Sequence, residues 1–309
     1  MSIGELRSPK PSLLMRLLTW LVSKRPSVFP KTAGEVAPFL DGRKLPPDAP
    51  MPDSFNSRFT VENWKAAGHD CVTLHPKSGK GASHILYFHG GGFVLPMFDV
   101  HWPLVADMVE RTGASVTVPL YPVAPESSKQ VQDEVADAAY AKLLEQWEAP
   151  NIILSGDSAG GHMALALAFR AICNGGAKPG KLVLFAPWLD VTMADEAMRE
   201  VEPHDVMLKV DALRELGAIW AGDEDPAGAS CSPLYASDAE LSQLPPTQIY
   251  VGRHDLFVID SRTFTTKLSA AGGDVQLYEY AGAPHVFMAI LLTRESKDCL
   301  KLVSEFVRA

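Results

Sequence analysis

A serine flanked by glycines is the clearest chemical feature of this sequence. The segment 156–161, GDSAGG, follows an apolar run and precedes an Ala/Leu-rich stretch, the context of a G-x-S-x-G nucleophile turn. A serine on such a turn has a strained backbone, and side chains two positions before and after it would collide with the adjoining strand and helix. The pattern therefore predicts Ser158 as a nucleophile at a helix N-terminus, where negative charge is favoured.

Three consecutive glycines form the second feature, in HGGGF at 89–93, directly after the apolar run 84–88. Glycines there cost conformational entropy, but they let backbone N–H groups approach a substrate oxygen closely. We expect this loop and the N–H of Ala159 to bind the oxyanion of a tetrahedral intermediate. A phosphate-binding loop is the alternative, but the sequence contains neither GxGxxG nor GxxxxGK[ST].

A serine nucleophile also needs a base and an orienting carboxylate. Among nine histidines, His285 fits best because it follows the last predicted strand in the loop AGAPH. Asp255 follows the preceding predicted strand, 30 residues before His285. Ser158, Asp255 and His285 then have the chain order of an α/β-hydrolase triad, with His254 and Asp260 as the alternatives.

The elements that would position these residues alternate along the chain. Short apolar runs predict strands at 71–74, 84–88, 114–118, 151–154, 181–185, 248–251 and 275–280. Helical patterns occupy 102–111, 129–147, 159–173, 210–220, 260–271 and 295–307. This order predicts an α/β fold, a mostly parallel sheet with helices on both faces, and ligands bind such sheets beyond the carboxyl ends of the strands.

One connection, from residue 185 to about 248, is too long for a plain crossover. We predict a single α/β-hydrolase domain over 1–309, with a helical cap formed by about 1–50 and an insertion at about 190–240. Residues 1–50 carry a net charge of +4 and residues 190–225 a net charge of −8, so the two segments are candidates to face each other. Two unrelated solvated surfaces are the alternative.

Composition excludes several classes of protein. The formal net charge of −9 argues against nucleic acid as a partner. The four cysteines are scattered without metal-ligand spacing, which favours free thiols, no metal and a cytoplasmic location. The run 13–22 has about half the length of a membrane span and contains Arg16, so it predicts a short amphipathic helix packed on the protein and no span.

The sequence resembles the hormone-sensitive-lipase-like family of α/β-hydrolase esterases. The resemblance rests on HGGGF at 89–93, YPVAPE at 121–126, GDSAGGH at 156–162, APWLD at 186–190, Asp255 and His285, and it covers about 70–309. It implies carboxylic ester hydrolysis, oxyanion donors at Gly91 and Gly92, and a cap built from the N-terminal arm and the insertion. No cofactor is expected.

Three further residues, Glu126, Asp157 and His89, are expected to support the site from behind. By resemblance Glu126 would buttress the active-site loops, although Pro122 stands where the family usually has arginine; the alternative is a surface acid. Apolar cap residues would line the substrate pocket or pack as cap core, namely Leu13, Leu17, Trp20, Leu21, Met193, Met207 and Trp220.

The predicted function is a serine carboxylesterase for short- to medium-chain esters, working through an acyl-enzyme. The alternatives are a lactonase, amidase or deacetylase with the same triad, or a non-catalytic ligand receptor. The expected partner is a small-molecule ester. A homodimer through an edge strand at 275–280 is a further hypothesis.

Overall fold

The computed structural model describes residues 4–309 and centres on one nine-stranded sheet. Its order is β1-β9-β8-β7-β6-β4-β5-β3-β2, and only the pairs β2–β3 and β3–β5 are antiparallel. The strands are β1 Glu5–Ser8, β2 Phe59–Ala66, β3 His69–Pro76, β4 His84–Phe88, β5 Ser115–Pro119, β6 Ile152–Asp157, β7 Lys181–Phe185, β8 Thr247–Gly252 and β9 Val275–Tyr280. The predicted mostly parallel α/β architecture is confirmed.

Helices cover both faces of the sheet. They are α1 Leu13–Ser23, α2 Val36–Leu40, α3 Phe55–Arg58, α4 His101–Thr112, α5 Lys129–Leu144, α6 Ala159–Cys173, α7 Met198–Val201, α8 Val210–Ala221, α9 Asp238–Leu241, α10 Val258–Ala270 and α11 Arg294–Arg308. Alternate residues of β4 face opposite sides: Leu86 and Phe88 join one buried cluster, Ile85 and Tyr87 the other. The strand is therefore apolar throughout, as strands buried on both faces are.

Two strands were not predicted. The sequence of β2, FTVENWKA, mixes exposed polar residues with a few buried ones, as expected near the margin of a sheet. The other, β1, is the four-residue segment ELRS, which has no apolar run and forms because its backbone pairs with β9. The prediction of β9 as an edge strand is therefore wrong, and the homodimer hypothesis loses the edge on which it was based.

The N-terminal arm packs on the insertion that follows β7. Its short 3₁₀ turn Ala33–Glu35 and α2 contact α8, and the contact is apolar, with Val36 and Leu40 buried in the same cluster as Leu216 and Trp220. Within residues 4–309, no ion pair joins 4–50 to 190–225, so opposite charge does not hold these segments together. The assignment of these two segments to one cap remains a prediction. Residues 1–3 of the predicted cap lie outside the described part of the chain.

Helix α1 forms where the sequence predicts an amphipathic helix, but its orientation differs from the expectation. Only Met15 is buried, whereas Leu13, Leu17, Trp20 and Leu21 are exposed to solvent. These four side chains therefore neither line a pocket nor form cap core; Met193 and Trp220, in contrast, are buried core residues. None of the helices within residues 4–309 combines the length and apolar character needed to cross a bilayer.

Candidate active site

Ser158 occupies a sharp turn between β6 and α6. Its backbone lies at φ 56° and ψ −121°, a strained region for a residue with a side chain. The flanking glycines are required by close backbone contacts: a Cβ at Gly156 would lie 2.3 Å from the carbonyl oxygen of Gly160, and one at Gly160 would lie 2.0 Å from that of Phe88. The sequence argument for two small residues around the serine thus has a geometric basis.

Gly160→Ala should destabilise the fold strongly, because the added methyl group meets rigid backbone on the neighbouring strand β4. We expect a loss of about 3 kcal/mol in the free energy of unfolding, measured by urea denaturation. Gly34→Ala is the matched control, since a Cβ there meets no atom within 4 Å. Equal stability of the two variants would contradict the packing described above.

Three side chains from separate strand ends meet at the carboxyl edge of the sheet. Asp255 follows β8 and His285 follows β9, while Ser158 follows β6. The Nδ1 of His285 lies 2.9 Å from Oδ2 of Asp255, and its Nε2 lies 3.0 Å from the Oγ of Ser158. If Nδ1–H donates to the carboxylate, Nε2 is free to accept the serine proton. All three side chains are buried.

The environment of His285 controls its protonation. Burial alone would lower its pKa, but the charge of Asp255 and the hydrogen bond with it raise the pKa above the ordinary value, with smaller contributions from Asp205 and Asp157. Because a general base must be neutral, activity should fall on acidification at a higher pH than an unperturbed histidine would dictate.

The glycine loop lies beside the serine because β4 and β6 are adjacent parallel strands, with Phe88 opposite Gly156. Gly91 and Gly92 have φ of 138° and 62°, values that favour glycine. Within residues 4–309, the N–H groups of Gly91, Gly92 and Ala159 donate to no other group. Two unpaired donors thus lie on the glycine loop and a third at the first residue of α6, next to the serine.

Buried side chains hold this loop in place. Asp157 accepts hydrogen bonds from the backbone N–H of Gly90 (2.9 Å) and from the hydroxyl of Tyr87 (2.5 Å). Tyr121 donates to the carbonyl oxygen of His89 (2.6 Å) and stacks on its ring. Burial lowers the pKa of His89 to about 3, so its ring is neutral. Both Asp157 and His89 therefore stabilise the glycine loop from behind.

Glu126 lies elsewhere. It is exposed and pairs with Arg43 of the N-terminal arm at 2.7 Å, and Arg43 also donates to the carbonyl oxygen of Ala124. Glu126 therefore ties the arm to the loop after β5, and Ala124 of that loop donates its backbone N–H to the carbonyl oxygen of Phe93 beside the glycine loop. The support that Glu126 would give to the active-site loops remains a prediction. This chain has proline at position 122, where the family usually has arginine, and the guanidinium that pairs with Glu126 belongs to Arg43.

The chain is similar in sequence and fold to known esterases. A family model described as alpha/beta hydrolase fold matches residues 85–289. An esterase of Acinetobacter venetianus is 33% identical over 225 residues, which are 72% of this chain and 73% of that protein. A crystal structure of an esterase from the bacterial hormone-sensitive lipase (HSL) family has a TM-score of 0.81 at 26% identity, over 96% of this chain and 98% of its own. The chain belongs to the hormone-sensitive-lipase-like family of α/β-hydrolase esterases. A second crystal structure, of a hormone-sensitive lipase from a metagenome library, is 28% identical with a TM-score of 0.79, over 97% and 98% of the two chains.

The alternative triad residues of this hormone-sensitive-lipase-like chain take no part in the hydrogen bonds that join Ser158, His285 and Asp255. His254 stacks on His204, with ring centroids 5.0 Å apart, and does not contact Ser158. Asp260 lies in the first turn of α10, where its carboxyl group is buried without a hydrogen-bond partner within residues 4–309. Burial raises the pKa of Asp260 well above its ordinary value, which favours the neutral form of the group. Within the same residues no cluster of His, Cys, Asp and Glu side chains is arranged to bind a metal ion.

Asp205 is a site residue that sequence reasoning missed. It belongs to the insertion after β7, and it is buried. Its Oδ2 accepts from the backbone N–H of Leu256, the residue after Asp255, and its Oδ1 accepts from Met207 and Leu208. The insertion thus places a second carboxylate beside the acid of the triad. No motif in the sequence marks Asp205, because only the fold brings it next to β8.

Asp205→Asn should shift the acidic limb of the pH–activity profile to lower pH. Burial and then the charge of Asp255 raise the pKa of Asp205 to about 6, so above that pH its carboxylate is charged and raises the pKa of His285. Removing this charge lowers the pKa of the base, and kcat/KM should persist into more acidic solution.

The control for this experiment is Asp223→Asn, which alters an exposed acid of the same insertion. Its profile should match the wild-type profile. If the acidic limb of the Asp205→Asn profile stays at the wild-type pH or moves to higher pH, the charge of Asp205 does not raise the pKa of His285.

Proposed function

We propose that the protein is a serine carboxylesterase that acts through an acyl-enzyme. The observation that carries this proposal is the continuous hydrogen-bonded chain from Asp255 through His285 to Ser158, at 2.9 and 3.0 Å, beside the unpaired N–H groups of the glycine loop and of the start of α6. An ester needs a nucleophile, a base and an oxyanion site within reach of one carbonyl group. Membership of an esterase family supports the same activity.

In the acylation step, Ser158 Oγ attacks the ester carbonyl carbon while Nε2 of His285 takes the hydroxyl proton. The carbonyl oxygen becomes an oxyanion bound by the N–H groups of Gly91, Gly92 and Ala159. Collapse of this intermediate breaks the bond to the alcohol oxygen, which receives the proton from Nε2. Asp255 orients the imidazole and stabilises its charged form throughout.

In the deacylation step, water repeats the reaction on the acyl-enzyme. His285 takes a proton from water, the resulting hydroxide adds to the acyl carbon, and the same N–H groups bind the oxyanion. Cleavage of the bond to Ser158 Oγ releases the carboxylic acid, and His285 returns the proton to the serine. Each group ends in its starting state, so no cofactor enters the cycle.

The surroundings of the triad favour short to medium acyl chains. Ser158 is only 6% exposed. Phe93, next to the glycine loop, stacks on Trp220 of α8 at 3.9 Å between centroids, and Phe257 packs edge-on against His285 at 5.2 Å. A nearly inaccessible serine, with aromatic rings packed beside the glycine loop and against His285, favours a small ester over a long acyl chain.

The test is a series of p-nitrophenyl esters of increasing acyl length, with a lactone and an anilide of matched acyl group. We expect the highest kcat/KM for short acyl chains and a steep fall for long ones. One equivalent of an organophosphate should inactivate the enzyme and label Ser158, as mass spectrometry would show. If the organophosphate labels Ser158 but the lactone or the anilide is hydrolysed faster than the esters, Ser158 is still the nucleophile and the substrate class is different. If Ser158 is not labelled, the mechanism is refuted.

We also propose that the enzyme works as one domain with a cap, in the cytoplasm. Apolar packing of α2 on α8 supports the cap. All four cysteines are free thiols, and Cys173 is exposed, which suits a reducing compartment.

A further inference from the structure

Helix α1 presents a continuous apolar stripe to solvent. Leu13, Leu17, Trp20 and Leu21 follow the spacing i, i+4, i+7, i+8, which places them on one helix face, and they are between 43% and 80% exposed. Within residues 4–309, five of the ten strongly exposed large apolar side chains lie on this helix of 11 residues. Scattered exposed leucines are ordinary, but a contiguous patch marks an interaction surface.

The same segment is the positive part of an acidic protein. Residues 10–31 contain five basic residues and no acid, whereas the whole chain has a net charge of −9. Within residues 4–309, none of these five side chains has an ion-pair partner, and all are exposed: Lys10, Arg16, Lys24, Arg25 and Lys31. Their charges are therefore available to an external anion.

The N-terminal end of α1 is fixed to the body of the protein. The backbone N–H and the hydroxyl of Ser12 both donate to the buried carboxylate of Glu295 on α11. Pro11 packs against Gly282, where a Cβ would lie 2.7 Å from the proline ring. Gly282 belongs to the loop that carries His285, so this end of the helix abuts the candidate active site.

The chain that leaves α1 contacts the glycine loop of that site. Phe29 is buried, and its Cε1 would lie 3.0 Å from a Cβ at Gly92 of the glycine loop. The segment from Pro11 to Phe29 therefore connects the loop of His285 with the loop of Gly92. Helix α1 lies within this segment, and its apolar stripe is exposed to solvent.

We propose that α1 docks the protein on a membrane surface rich in anionic phospholipid. Leucine side chains and an amphipathic tryptophan suit the boundary between headgroups and acyl chains, and flanking lysine and arginine suit lipid phosphates. A second copy of the chain fits this face less well, because a two-fold contact would bring the positive segment against itself. The docking goes beyond ester hydrolysis and does not depend on it, so Ser158→Ala should dock as the wild-type chain does.

The test is flotation of the full chain with vesicles of phosphatidylcholine alone or of equimolar phosphatidylcholine and phosphatidylglycerol. We expect about tenfold or greater enrichment on the anionic vesicles, decreasing with added salt. Leu17→Glu and the double variant Lys24→Glu/Arg25→Glu should each lose most of this binding. Val100→Glu is the matched control, an apolar residue 54% exposed outside the helix, and it should bind as the wild-type chain does.

Trp20 gives an independent readout. Of the six tryptophans it alone is strongly exposed among the described residues, so brominated phosphatidylglycerol should quench it on docking, and Trp20→Phe should abolish that quenching. Equal binding to both vesicle types, or full binding by Leu17→Glu, would overturn the proposal. Self-association of the wild-type chain that Leu17→Glu removes, without vesicle binding, would assign the stripe to a second copy and overturn it too. Because the changed side chains are exposed, circular dichroism should show native folding in every variant.

Discussion

Ser158→Ala should reduce kcat by about four orders of magnitude or more, because the acyl-enzyme cannot form without the Oγ nucleophile. The only side-chain partner of this hydroxyl within residues 4–309 is His285, so its loss removes little packing. The free energy of unfolding should therefore stay near the wild-type value. Stopped-flow turnover of an aryl ester and urea denaturation measure the two quantities.

A neighbouring serine supplies the control. Ser155 lies three residues earlier on β6, buried and without a hydrogen-bond partner within the described residues. Ser155→Ala should keep activity close to that of the wild-type chain, which separates loss of the nucleophile from any effect of removing a buried hydroxyl. Appreciable turnover by Ser158→Ala, with Ser155→Ala also active, would remove the proposed mechanism.

Asp255→Asn should lower kcat by about 10⁴-fold, because an asparagine amide favours the wrong tautomer of His285. With its NH₂ group directed at Nδ1, the amide would leave the proton on Nε2, which then could not accept the proton of Ser158. The variant keeps the shape of the side chain, so the fold should persist. Activity should recover partly at high pH, where hydroxide assists deprotonation of the serine.

Asp260→Asn is the matched control for a buried acid. Asp260 is as inaccessible to solvent as Asp255 and stands five residues later, but burial raises its pKa and favours the neutral form, with which an amide is nearly isosteric. Its kcat should change little. Equal losses in the two variants would mean that the defect lies in folding, and equal retention would exclude Asp255 as the partner of the base.

Local rules are enough to explain why the structure brings the three predicted triad residues together. Gly156 is required by a contact within one strand-turn-helix unit, and Gly160 by a contact with the adjacent strand β4. A parallel sheet brings the ends of β6, β8 and β9 to one edge regardless of the details of packing. The prediction of the triad therefore needed only the local sequence around each residue and the rule that parallel strands end at the same edge of a sheet. The distances between Ser158, His285 and Asp255 agree with it.

The features that escaped prediction depend on contacts between distant segments. Asp205 becomes relevant only because the insertion folds back onto Leu256, and Glu126 faces Arg43 because the N-terminal arm passes over the loop after β5. The apolar pattern of α1 correctly indicates a helix, but the same pattern serves a buried face or an exposed one. The spacing of apolar residues alone does not tell whether the apolar face of a helix packs on the protein or faces solvent.

The pairing of β1 with β9 has a consequence for biosynthesis. Glu5 lies opposite Tyr278, so β1 and β9, which are about 270 residues apart in the chain, pair directly in the sheet. Strand pairings between such distant segments form late and slowly during folding, and an unpaired sheet edge is prone to aggregate until its partner strand is in place. The ribosome must therefore have synthesised all the residues from β1 to β9 before this edge of the sheet can be completed.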